Sequence, residues 1–201
     1  MSLSLIAGKA LILIAQGVLA WFLTKEDFGV LAIVAGVAAC IKIFHDAGVP
    51  QVIVQRGTEA FARLQGAVFW IGMAVSLAGG LLLAWAAPAI ANFYGEEQLT
   101  PLLRVLALAL PLGAPASTLR AKLQIDLRFR AISLLSVGKF AVRSFGMIIL
   151  AWLGYGLMCF VIPLVVMALF ETIAAWLATR VAPWTQAPQF RQWPGFLRDA
   201  F

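Results

Sequence analysis

Residues 28–54 read FGVLAIVAGVAACIKIFHDAGVPQVIV, twenty-seven positions that are apolar almost throughout. A continuous run of this length satisfies the requirement of a bilayer core for about 20 apolar residues in a helix. It therefore predicts a membrane-spanning helix. Its second half carries Lys42, His45 and Asp46 where hydrocarbon is expected. At about 100° per residue, His45 lies about −60° and Asp46 about +40° from Lys42, so one helical face would hold all three. Ionisable groups on one face of a spanning helix look into a protein interior or a wet cavity. Gly48-Val49-Pro50 follows at once, and a proline there predicts a break or kink.

The rest of the chain is built the same way. It has 201 residues, 63% of them hydrophobic and only 12% charged, half the charged share of a soluble domain. Further spans are expected at about 3–23, 64–87, 99–119, 131–153 and 157–179. Polar turns at 24–27, 55–59, 95–98 and 154–156 would separate them, with a longer charged loop carrying Arg120, Lys122, Arg128 and Arg130. Lys9 and Gln16 fall on one face of the first span, and Pro111 and Pro115 lie inside the fourth. The runs lack the two-residue alternation of membrane strands, so a barrel is excluded. The expected fold is all-α: a polytopic membrane protein with a six-helix bundle at 1–183. A cytoplasmic linker and the start of another element would occupy 184–201. Gly29 and Gly36 read as ordinary helix-packing glycines of the second span.

Charge orients the bundle. Nine basic residues occupy the loops after spans two, four and six, and Lys25 is the one basic residue of the opposite loops. The positive-inside rule places those nine, and the N-terminus, in the cytoplasm. The formal charge of +6 is explained by these loops, so nucleic acid is not an expected partner. Cys40 and Cys159 sit in different spans with no disulfide or metal spacing and read as small fillers. No cofactor is expected.

Several charges remain inside spans. Each costs about 2.5–3.5 kcal/mol at a helix centre on insertion scales, so simple structure would not need all of them. Lys139 and Arg143, four apart, form one basic stripe in span five, with Arg143 near mid-bilayer. Glu171 in span six lies at a height similar to that of Lys139. Lys9, Lys42, Arg104, Lys139 and Arg143 stand against Asp46 and Glu171, five cations to two carboxylates. A low-dielectric cavity so lined attracts an anion. The expected substrate-binding set is Lys42, Arg104, Lys139 and Arg143, with Asp46 and Glu171 pairing or coupling. Bland readings compete: Lys9, Lys42 and Arg104 near an interface, where long side chains snorkel, Asp46 as a helix-end group, and Glu171 as a neutralising partner. An enzyme is not expected, because no metal-ligand cluster or spaced acid–base pair is present.

A series of short motifs carries a resemblance. They are Leu23-Thr24-Lys25-Glu26-Asp27-Phe28-Gly29, Asp46-Ala47-Gly48, Val52-Ile53-Val54-Gln55-Arg56, Phe93-Tyr94-Gly95-Glu96, Leu102-Leu103-Arg104-Val105-Leu106 and Leu127-Arg128-Phe129-Arg130. In this order and spacing the chain resembles the N-terminal half of an oligosaccharide/polysaccharide flippase of the multidrug/oligosaccharidyl-lipid/polysaccharide exporter superfamily. The resemblance implies one lobe of a two-lobe carrier in the bacterial inner membrane. Such a carrier moves undecaprenyl-pyrophosphate-linked sugars outward through a cationic cavity by alternating access. Its implied partners are the lipid-linked oligosaccharide, membrane lipids, and a second lobe or partner chain. Members are about twice as long, so the chain is expected to be a fragment, and Lys25 stands where proline or a small residue is usual. A drug antiporter of the same superfamily would show an acidic cavity instead. A non-transporting helical subunit would tolerate loss of Lys139 and Arg143.

Overall fold

The computed structural model describes residues 24–45 and 49–180, together with Gly17, and the side chains of residues 24–25, 27–39, 65–66 and 68–180. The expected first span with Lys9, the residue Asp46 and the linker at 184–201 lie outside the described residues. Five helices follow in order: α1 Lys25–His45, α2 Val49–Tyr94, α3 Leu99–Ile125, α4 Phe129–Trp152 and α5 Met158–Thr179. No strand occurs among the described residues. Four of these stretches are long and apolar enough to cross a membrane, namely Val68–Tyr94 of α2 and the whole of α3, α4 and α5. At 1.5 Å per residue, α3 to α5 are about 33–40 Å long, against a hydrocarbon core of about 30 Å.

Three boundaries differ from those expected. The run 28–54 is divided between α1, which ends at His45, and α2, which begins at Val49. Pro50 stands in the first turn of α2, where its missing N–H deprives the helix of no bond. Residues 55–59 are helix, not a turn. Gln55, Arg56, Thr58 and Glu59 are polar but helix-tolerant, and Gly57 alone does not stop a helix. Arg120 and Lys122 are likewise helical, because α3 continues to Ile125 and only 126–128 turn.

Helix ends follow local chemistry. Thr24 N–H donates to Asp27 Oδ2 (2.9 Å) and Asp27 N–H donates to Thr24 Oγ1 (3.3 Å), a reciprocal cap, so the expected polar turn is the start of α1. After α2, Gly95 takes φ +71° while Glu96 N–H donates to the Ala91 carbonyl (3.0 Å). The same closure ends α3, where Arg128 N–H donates to the Leu123 carbonyl (3.0 Å), yet Leu127 holds the left-handed position at φ +53°. A side chain there costs about 1–2 kcal/mol. Leu127→Gly should therefore raise the denaturant unfolding midpoint by the equivalent of about 1 kcal/mol. An unchanged or lower midpoint refutes the strain.

The helices pack in the order α2, α3, α5, α4, with α1 lying against α2 and α3. Val30, Leu31 and Val34 place one stripe of α1 on the main core, formed by Leu83 and Ala87 of α2, Leu99, Leu102, Leu103 and Leu106 of α3, Met147 of α4, and Cys159 and Val161 of α5. Leu119, Leu123, Ile132, Leu135 and Ala175 form a second cluster at the other end. Small residues set the closest approaches. A Cβ on Gly138 would meet the Phe170 ring at 3.0 Å, and one on Gly146 would meet Pro163 at 3.1 Å. Gly29 and Gly36, expected to serve this purpose, face nothing within 4 Å among the described residues. Pro111 and Pro115 interrupt the bonding of α3, and Thr172 Oγ1 donates to the Leu112 carbonyl between them (2.7 Å), clipping α5 to α3. Trp85, Phe93, Tyr94, Trp152 and Tyr155 stand exposed toward the Gly95 and Gly154 end. Amphipathic aromatics favour a membrane–water boundary.

Candidate substrate-binding site

A polar seam lies between the two apolar clusters. On α4, Lys139 and Arg143 fall between the buried Leu135 and Met147; on α5, Glu171 falls between Val161 and Ala175. Arg120 reaches it from α3. Its Nη1 lies 2.6 Å from Glu171 Oε1, and its Nη2 donates to Ser136 Oγ (3.3 Å). Ser136 in turn donates to the Ile132 carbonyl (2.8 Å), which fixes its hydroxyl. Lys139 Nζ lies 3.5 Å from the same Glu171 oxygen. One carboxylate oxygen thus receives two cations from two different helices. The side chains of Arg120, Glu171 and Lys139 are 28%, 13% and 20% exposed, so the triad is neither sealed in the core nor on the surface.

Arg143 is one turn further along α4. Its guanidinium carbon sits 5.3 Å from the centroid of the Phe160 ring, a cation–π arrangement. Its Nε is buried without a hydrogen-bond partner, as is the hydroxyl of its neighbour Ser144. The large majority of buried side-chain polar atoms are paired, so each such orphan calls for an explanation. No carboxylate among the described residues lies within ion-pair distance of Arg143. Among the described residues the seam holds Arg120, Lys139 and Arg143 beside Glu171.

The expected residues thus divide. Lys139 and Glu171 meet directly, and Arg143 stands beside them on the stripe that its spacing predicted. Arg104 is exposed near the opposite end of α3, about 24 Å along the helix from Arg120. Lys42 lies on α1 three residues before its end, with its side chain outside the described set, and Asp46 is outside it altogether. Arg120 was missed because the fourth span was expected to end before the first charge that follows it. Ser136 and Phe160 carry no sequence signal; their partners are 16 and 17 residues away in sequence. Arg128, expected in the charged loop, donates from Nη1 to the Ala178 carbonyl (2.9 Å) and so closes the end of α5. Among the described residues no group of His, Cys, Asp and Glu could hold a metal ion.

The described helices are those of a multi-pass membrane protein, with a net-cationic seam among them. The sequence model of one family, described as polysaccharide biosynthesis protein, matches residues 18–194, and the chain belongs to that family. It is also 26% identical over 166 residues to the succinoglycan biosynthesis transport protein ExoT of Rhizobium meliloti (strain 1021). That match covers 83% of this chain and 33% of the relative, so the chain spans about a third of the length of the curated relative it matches. No solved structure matches.

Proposed function

We propose that the chain is one helical lobe of a transporter that carries an undecaprenyl-pyrophosphate-linked oligosaccharide across the bacterial inner membrane. The lobe lies N-terminus inward and works by alternating access with a second lobe or partner chain. The observation that carries this reading is Arg143, a cation in mid-helix with an orphaned Nε and no carboxylate partner among the described residues. A charge held so far from water costs several kcal/mol unless an anion visits it. Guanidinium makes bidentate contacts to phosphate oxygens and lysine adds a point charge, so Arg143 and Lys139 suit a pyrophosphate head group. Lys42 and Arg104 extend the cationic path, and Asp46 and Glu171 pair with it or couple it to an ion. Family membership and the transport relative support the reading. The cationic balance favours it over a drug antiporter of the same superfamily.

The test is complementation of a flippase-null strain with the full-length gene carrying Lys139→Ala or Arg143→Ala. Surface polysaccharide should fall at least tenfold in each at equal membrane abundance. Normal polysaccharide in both variants would sink the proposal and favour a structural subunit.

A further inference from the structure

Arg120 and Lys139 are brought together by a single atom. Their nitrogens lie 2.6 Å and 3.5 Å from Glu171 Oε1, so they stand no more than about 6 Å apart. Two like charges at that distance away from bulk water repel strongly. An anion between the two relieves that repulsion. In this structure Glu171 lies between them and offers one oxygen to both cations. Ser136 holds Arg120 through Nη2, so the guanidinium stays aimed at the same point whatever sits there.

We propose that Arg120 and Lys139 form a clamp for a phosphate group, and that Glu171 is its displaceable counter-ion. The proposal rests on the transport reading above and extends it to Arg120 and to an exchange of anions. A phosphate presents several oxygens and carries more charge than a carboxylate. It engages both donor nitrogens of a guanidinium side by side and the lysine as well, whereas Glu171 uses one oxygen for both. The partial exposure of the three side chains gives such a group access. On arrival the phosphate takes the two cations and Glu171 is released; on departure Glu171 returns and cancels the repulsion. The carboxylate thus keeps the empty site from binding passing anions tightly and gives the phosphate a means of leaving. Arg143, four residues beyond Lys139 on the same stripe, stands where the second phosphate of a diphosphate would reach.

The experiment compares the parent protein with Glu171→Gln in lipid nanodiscs. Glutamine keeps the acceptor oxygen for Arg120 and removes the competing charge. Binding is measured with two probes, inorganic pyrophosphate and undecaprenyl pyrophosphate carried in the nanodisc. Glu171→Gln should bind the lipid-linked diphosphate at least tenfold more tightly than the parent, and the double variant Arg120→Gln/Glu171→Gln should lose that gain. The ligand-induced rise in unfolding temperature should be larger in Glu171→Gln than in the parent. Equal or weaker binding by Glu171→Gln, with only a fall in unfolding temperature, makes the triad a structural clip and overturns the proposal. A gain with inorganic pyrophosphate alone overturns the lipid-linked assignment. The two readings fail separately. Normal export with Lys139→Ala and Arg143→Ala removes the transport reading whatever Glu171→Gln does to binding. Lost export with unchanged Glu171→Gln affinity removes only the anion exchange.

Discussion

Gly80→Ala is expected to destabilise the bundle by about 1–3 kcal/mol, while Gly79→Ala one residue earlier leaves it unchanged or more stable. Both glycines lie in α2, and a helical glycine is ordinarily a weak point that alanine improves. The difference is what each faces. A Cβ on Gly79 meets nothing within 4 Å among the described residues, whereas one on Gly80 would lie 2.8 Å from the Ala107 carbonyl oxygen and 3.5 Å from Pro111 Cδ. Neither atom belongs to a flexible side chain that swings aside. The close approach follows from Pro111: without an N–H it leaves the carbonyl four residues earlier with no helical donor, and its ring presses on that carbonyl. In hydrocarbon a bare carbonyl must be covered by a neighbouring element, and a glycine allows α2 to come near enough. Thermal unfolding of the two variants in one detergent is the measurement. Equal shifts in both would show that the α2–α3 contact at Pro111 does not govern stability.

Arg143→Met separates stability from function. If Arg143 were structural, its loss would weaken the fold. As a mid-helix cation it costs about 2.5–3.5 kcal/mol on insertion scales, against about 0.5–2 kcal/mol returned by the Phe160 ring. Methionine has similar reach, packs on the ring through its sulfur, and leaves no orphaned nitrogen. The unfolding midpoint of Arg143→Met should therefore equal or exceed that of the parent by about 1 kcal/mol, while export in the complemented strain falls at least tenfold. A lowered midpoint with export intact is the opposite pattern. It would assign Arg143 to packing and withdraw it from the substrate path.

The legible parts of the fold are those governed by one helix at a time. Spans four, five and six were expected at 99–119, 131–153 and 157–179, and α3, α4 and α5 occupy 99–125, 129–152 and 158–179. Hydropathy alone places them, because a helix in lipid satisfies its own backbone whatever its neighbours do. Errors cluster where a charge was taken for a loop. Residues 55–59 and Arg120-Ala121-Lys122 are polar enough to leave the membrane but have no reason to leave the helix. Hydropathy reports solvent and caps report helix ends. At Gly95 and Gly154 the two signals coincided, and there the boundaries were right.

The site divides along the same line. That Lys139 and Arg143 share a face follows from their spacing of four, and the expectation of a net-cationic interior came from counting charges. By itself the sequence determined an all-helical membrane chain and its family. Only the tertiary structure decided which charges meet. Arg120 and Glu171 are 51 residues apart, on helices whose adjacency depends on Thr172 seated at the α3 prolines and on α5 lying between α3 and α4. The same folding leaves Arg104 at the far end and Arg143 without a carboxylate among the described residues. Periodicity fixes a side chain's direction about its own axis. Which other axis lies in that direction is set by side-chain packing and small-residue contacts between helices, which no single helix encodes.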